Sequence, residues 1–167
     1  MRVRMILLIG ILVILFSSCS KGEAEEEKRI KSFLTNYYTW NKDDRYTKLS
    51  EGDMSDRQTY ITKYLEPYYD TFKEEVTKEM LDKMIAGKMP LSEDKYAYEN
   101  QKTAVVKDII LDLVNGEDYV YTYKVTLEMT QSGSSKTEEI SGQISINGKK
   151  EPILIAKFNE VERKTVE

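Results

Sequence analysis

Hydrophobic positions fall into two regimes along this chain. From Glu25 to about Asn41 the apolar residues are Ile30, Phe33, Leu34, Tyr37 and Tyr38, with Trp40 beyond, and these offsets of three and four lay one stripe along a helix. A short helical turn is expected around Asp44–Leu49, and Gly52 and Asp53 break the pattern. Ser55 and Gln58 have the spacing of a capping box. Tyr60, Ile61, Tyr64, Leu65, Tyr68 and Phe72 then repeat at helical spacing, and Pro67 inside that run predicts a kink or split near Leu65. Thr77 is the expected cap of a third helix with Met80, Leu81, Met84 and Ile85 on one face, ended by Gly87 and Pro90.

After Pro90 the period becomes two. Lys95–Glu99 reads as a short strand, and Thr103–Val114 as a longer one with Val105, Ile109, Leu111 and Leu113 on one side. The turn signal Asn115-Gly116-Glu117-Asp118 follows. In Tyr119–Thr130, Tyr119, Tyr121, Tyr123, Val125, Leu127 and Met129 alternate with polar or smaller residues, which predicts one buried and one wet face. Gln131–Lys136 reads as a Ser/Gly loop, and Thr137–Ile146 as a strand in which Gly142 marks a bulge or bend. Asn147-Gly148 is a hairpin signal. A last strand spans about Glu151–Asn159, and residues 161–167 read as a charged tail. Helices first and an antiparallel meander second predict an α+β fold, with helices packed on the apolar face of about four to five strands.

The first nineteen residues belong to neither regime. Arg2 and Arg4 precede an apolar run, Met5–Phe16, which is too short to span a bilayer permanently and has the length of a signal core. The following Ser17-Ser18-Cys19 resembles the lipobox of bacterial lipoproteins; Phe16 stands where that family favours leucine. The resemblance implies cleavage between Ser18 and Cys19, a diacylglyceryl group on the Cys19 thiol, and anchorage in membrane lipid on the extracytoplasmic face. Two acyl chains hold stably where one holds only marginally. The expected organisation is a signal peptide over 1–18, lipidated Cys19 with a flexible acidic tether over 19–27, a folded domain over 28–160, and the tail.

Composition narrows the chemistry. The chain holds 25 basic and 29 acidic residues; without Arg2 and Arg4 the mature part has 23 against 29, or −6, which argues against nucleic acid as a partner. With no histidine, the usual neutral-pH general base and the commonest transition-metal ligand are missing. No metal or other cofactor is expected. The single cysteine cannot form an internal disulfide, and its place at the lipobox accounts for it.

The order of elements over residues 25–160 is similar to that of the NTF2-like, cystatin-like α+β family, in which N-terminal helices lie in the concave side of a curved sheet. That resemblance implies a cone lined by aromatic residues, for which Tyr37, Tyr64, Tyr121 and Tyr123 are the candidates among twelve tyrosines. Tyrosines on apolar faces are first of all core residues with hydroxyls at its rim. Asp108 and Asp112 share a strand side with Ile110 and are expected on the wet face, so no catalytic residue is assigned. Domains of this family occur in lipoproteins and in membrane-anchored parts of conjugation and secretion machines. The expectation is therefore a binding or assembly module at the cell envelope, with envelope proteins as partners and not an enzyme. The alternatives are a small-ligand-binding lipoprotein using the aromatic cone and, behind it, a lyase or isomerase using a cone carboxylate with tyrosine.

Overall fold

A computed structural model describes residues 19–40, 45–52, 55–148 and 150–166, with side chains from Ala24 onward apart from that of Arg45. The segment 1–18, expected as a signal peptide, and the Cys19 side chain lie outside the described residues. The elements are α1 (Cys19–Tyr38), α2 (Arg45–Ser50), α3 (Arg57–Tyr60), a π-helical turn (Ile61–Leu65), α4 (Glu66–Lys73), α5 (Lys78–Gly87) and α6 (Leu91–Glu99). Four strands follow: β1 (Lys102–Leu113), β2 (Val120–Gln131), β3 (Ser134–Ile146) and β4 (Ile155–Val166). The strands form one antiparallel sheet in chain order, β1-β2-β3-β4, so the α+β layering expected from the pattern is what the chain adopts.

The buried stripe of α1, Ile30, Phe33, Leu34, Tyr37 and Tyr38, packs on the inner sheet face made by Tyr121, Tyr123, Val125, Leu127 and Met129 of β2 and Ile140, Ile144 and Ile146 of β3. Phe33 sits among rings, with centroids 5.3 Å from Phe158, 5.7 Å from Tyr37 and 6.3 Å from Phe72. Two short bridges tie the helical layer to the sheet edges: Trp40 pairs with Ala104 on β1, and Val76 with Ile155 on β4. At the second, the Ile155 amide donates to Glu75 O and the Thr77 amide to Ile155 O, both at 2.8 Å.

Several boundaries differ from the pattern. The segment expected as a tether is helical, because α1 begins at Cys19; Ala24 and three glutamates are good helix formers, and Glu27 pairs with Lys31 one turn on, at 3.2 Å. The cap of α3 is Asp56 and not Ser55: its carboxylate accepts from the Gln58 and Thr59 amides, two orphan donors served by one side chain. Pro67 splits the long helix as expected. The split takes the form of a π-helical turn, closed by the Glu66 amide donating to Ile61 O, which rearranges the bonding just ahead of the residue that cannot donate. Thr77 caps α5 through the Met80 amide, but Ile85 is exposed and the left-handed residue at its end is Lys88, not Gly87.

Lys95–Glu99 is not a strand. The alternation of Tyr96 and Tyr98 with charged residues is that of two exposed rings on α6, whose buried positions are Asp94 and Ala97, three apart. In β1, Val105 faces outward, because Lys107 is an extra residue between the pairs Val106–Leu127 and Asp108–Thr126. That bulge turns the inward set from Ala104 and Val106 to Ile109 and Leu111. Leu113 is also exposed. Asp108, Ile110 and Asp112 lie on the outer side, as expected.

The hairpin β2–β3 turns in two residues, Ser132 and Gly133, both at positive φ, so the loop is shorter than its composition suggested. Asn147-Gly148 does not make a tight hairpin. Asn147 instead organises the connection up to Ile155: its side chain accepts from the Leu154 amide and donates to Pro152 O, both at 2.9 Å. Residues 161–166, expected in a charged tail, are the second half of β4: 162–166 pair with Thr137–Ser141, and Val161 is the extra residue of a bulge. Backbone hydrogen bonds to β3, and Glu139 set between Lys124 at 2.7 Å and Lys164 at 3.6 Å, make a strand of a sequence with almost no apolar signal.

Candidate functional site

The space between α1 and the sheet is filled by the chain's own side chains. Tyr37, Tyr121 and Tyr123 are buried there, and of the four candidate pocket tyrosines only Tyr64 lines a groove, in the helical layer. Tyr37 and Tyr123 meet around Phe158, with centroids 4.6 Å and 5.7 Å from it; Tyr121 donates to Glu26 of α1 at 2.6 Å. These residues hold the layers together.

One polar network runs from this interior to the surface. The hydroxyls of Tyr38 and Tyr123 are 3.0 Å apart, and Tyr38 donates to Glu160 Oε2 at 3.0 Å. Arg163 grips both oxygens of Glu160, at 3.0 and 3.1 Å, and its guanidinium lies over the Trp40 ring, 5.1 Å from the centroid. Gly142 is what admits Tyr123: a Cβ there would collide with Asn159 O and stand 2.5 Å from the Tyr123 hydroxyl. Burial drives the Tyr38 hydroxyl far above its ordinary value, with Tyr123 and Glu160 adding to it. Burial also raises Tyr37, and raises Tyr123 although its hydrogen bond with Tyr38 pulls the other way. All three stay protonated at neutral pH. A carboxylate and tyrosines do come together, but the carboxylate is claimed by a bidentate arginine and the hydroxyls serve as fixed donors. That is the bonding of a structural network. Glu160 and Arg163 escaped sequence reasoning because they fall at the end of the last expected strand and in the expected tail.

The open feature is elsewhere. A groove of about 880 Å³ runs between α1 and the π turn with α4, and α2 contributes to its wall. Ser32, Thr35, Asn36 and Thr39 form its α1 side at helical spacing, beside the stripe that enters the core. Tyr64, Pro67, Tyr68 and Thr71 form the other side at the same spacing. At its floor Glu75 is almost fully buried; Ser32 Oγ donates to it at 2.6 Å and Asn36 Nδ2 at 3.2 Å, which ties α1 to the residue after α4. Four lysines, 28, 31, 48 and 63, line the groove against that one carboxylate, in a chain whose net charge is −4. The groove is therefore locally cationic on an acidic protein. Among the described residues no ion pair engages Lys28, Lys48 or Lys63; Lys63 lies 5.3 Å from the Tyr64 ring centroid, and Lys31 is shared with Glu27. The stripe Ser32-x-x-Thr35-Asn36-x-x-Thr39, polar but short in side chain on an otherwise charged helix, was the available signal for this surface.

The volume is in the range of small-ligand sites, about 300–1,000 Å³. Among the described residues no cluster of histidine, cysteine, aspartate and glutamate is placed to hold a metal ion. What the groove offers is positive charge, hydrogen-bonding groups and ring faces, which suits binding. No family model, curated protein or solved structure matches this chain.

Proposed function

We propose that the mature chain is a lipoprotein, held by a diacylglyceryl group on Cys19 at the extracytoplasmic face of a cell membrane. Its domain works by binding, as an accessory or assembly part of the envelope, and not by catalysis. The observation that carries this reading is the division of the domain into an interior closed by its own protonated tyrosines and an open groove on the helical layer. The lipobox-like Ser17-Ser18-Cys19 supports the anchorage, and among the described residues no helix is long and apolar enough to cross a membrane.

Because α1 starts at Cys19, the acylated residue would be joined to the core by helix and not by loose chain. Cys19 lies eleven residues before Ile30, about 17 Å at the helical rise. Lipid attachment then concentrates the groove close to the bilayer, which raises the rate and occupancy of encounters with other envelope components. The test is crosslinking in the native cell from a photoreactive residue placed at Thr35, with the wild-type anchor and with Cys19→Ala. The expected result is membrane attachment and specific adducts with the wild type, and loss of both with the variant. If Cys19→Ala stays as firmly attached with unchanged mass, the anchorage is wrong; if a purified soluble domain turns over a substrate, the binding reading is wrong.

A further inference from the structure

We propose that the free edge of β1 takes an extended, basic segment of another protein as a fifth, antiparallel strand of the sheet. This surface is separate from the groove and does not depend on it. β1 is an edge strand, and Trp40 covers only its start, at Ala104. Among the described residues nothing else pairs with the backbone of Val105–Leu113 on the side away from β2. The Val114 amide donates to Val120 O on β2, so by the alternation of an antiparallel ladder Ile109, Leu111 and Leu113 turn their N–H and C=O groups outward. Val105, Ile110 and Leu113 are each nearly half exposed. The opposite edge is blunted: β4 carries Lys157, Arg163 and Lys164, and its register breaks twice. From Asp108 to Leu113 β1 has no lysine, proline or bulge. An edge of that kind is a template for strand addition.

Charge selects the occupant. On the outer face Asp108 and Asp112 flank Ile110, and their cross-strand neighbours are Thr126 and Thr122, which bring no cation. The nearby lysines are taken, Lys107 by Glu128 and Lys124 by Glu139. A second copy of this chain fits badly. About a two-fold, the register that sets Ile109 opposite Leu111 puts Asp108 opposite Asp112 twice, and a shift by two residues leaves the carboxylates diagonal neighbours. The same pair of carboxylates that disfavours self-pairing favours a strand with lysine or arginine opposite each of them. Such a strand carries a β-branched residue opposite Ile110 and apolar residues opposite Ile109 and Leu111, where they extend the covered face of the sheet.

The probe is a short peptide with the core Lys-Val-Thr-Val-Lys, titrated calorimetrically into the detergent-solubilised full chain. It is expected to bind at least about tenfold more tightly than the same peptide with glutamate for lysine, and less tightly as salt rises. N-methylation of its two valines, which removes the amides that would meet Ile109 and Leu111, should abolish binding. The amides of Ile109, Leu111 and Leu113 should exchange freely in the protein alone and become protected by the peptide. Asp108→Lys with Asp112→Lys should reverse the preference toward the glutamate peptide, with circular dichroism checking the fold; the N-methylated peptide tests the wild type without any substitution. Equal binding of the two charge forms, binding that survives N-methylation, or no binding overturns the proposal. So does protection of the same amides in the protein alone that grows with its concentration, which would make the occupant a second copy. Failure at the edge leaves crosslinks from Thr35 at the groove unaffected, so the two readings fall separately.

Discussion

Raising the pH attacks the sealed interior directly. Tyr37, Tyr38 and Tyr123 are at most 4% exposed, and burial holds each hydroxyl well above the ordinary tyrosine range. In the unfolded chain the same groups ionise near about pH 10. Above that pH the unfolded state binds fewer protons than the folded state, so stability must fall as pH rises; below it the stabilisation is fully present. Each such tyrosine removes about 1.4 kcal/mol per pH unit until its folded value is reached. Three together remove about 4 kcal/mol by about pH 11, against a typical domain stability of about 5–15 kcal/mol. Tyr69, pushed up to about 12 mainly by burial, joins them over the same interval. The assay is a paired alkaline titration, with tyrosinate formation followed by ultraviolet difference absorbance and the fold by circular dichroism. A first group of tyrosines should ionise with the fold intact, and the rest in a cooperative step that coincides with unfolding. Tyr38→Phe should reduce the pH dependence by about one tyrosine's share. If all twelve tyrosines ionise in one gradual wave near the ordinary value while the circular dichroism is unchanged, the interior is open to solvent and the case against a cone pocket fails.

Other perturbations probe separate parts of the structure. Gly142→Ala places a Cβ against Asn159 O and the Tyr123 ring, so β3 and β4 must separate or the ring must leave; a loss of several kcal/mol, about 2–4, is expected in denaturant melts. Phe33→Ala empties a fully buried ring site between Phe72 and Phe158 and should cost about 3–5 kcal/mol by the same measurement. Deleting residues 161–167 removes half of β4 and Arg163 with it, so the melting temperature should drop clearly; an unchanged melt would return that segment to the status of a tail. Thr77→Ala should destabilise by about 1 kcal/mol through loss of the α5 cap.

The buried faces of α1, β2 and β3 were legible because each lies within one uninterrupted element with a single period. Ile30 to Tyr38 repeat at the helical interval, and Tyr121 to Met129 at every second residue, and both sets are buried as the pattern requires. Tyr37, Tyr121 and Tyr123 are buried on the apolar faces that their spacing predicts, but the grouping of the candidate tyrosines was not legible. Tyr37 and Tyr123 converge on Phe158, and Tyr64 stands on another surface, a division set by how α1 and α4 lie against the sheet. Period reading failed where burial and chemistry parted company. In Lys95–Glu99 the tyrosines that suggested a strand are the exposed side of a helix, and the buried positions are an alanine and an aspartate held by the Tyr68 hydroxyl at 2.6 Å.

The sequence alone determined which stretches must lose water on one side, and from that the order of helices before strands and the α+β class, since these follow from local periodicity and capping. Only the tertiary structure decided the remainder. An added residue at Lys107 turned half of β1 over, and a charged segment became a strand because β3 needed a partner for its backbone groups. Four lysines, distant along the chain, were gathered around one groove by the packing of α1 against α4. Pairing, register and the meeting of surfaces depend on contacts between residues far apart in sequence, and no local pattern encodes which distant face will be met.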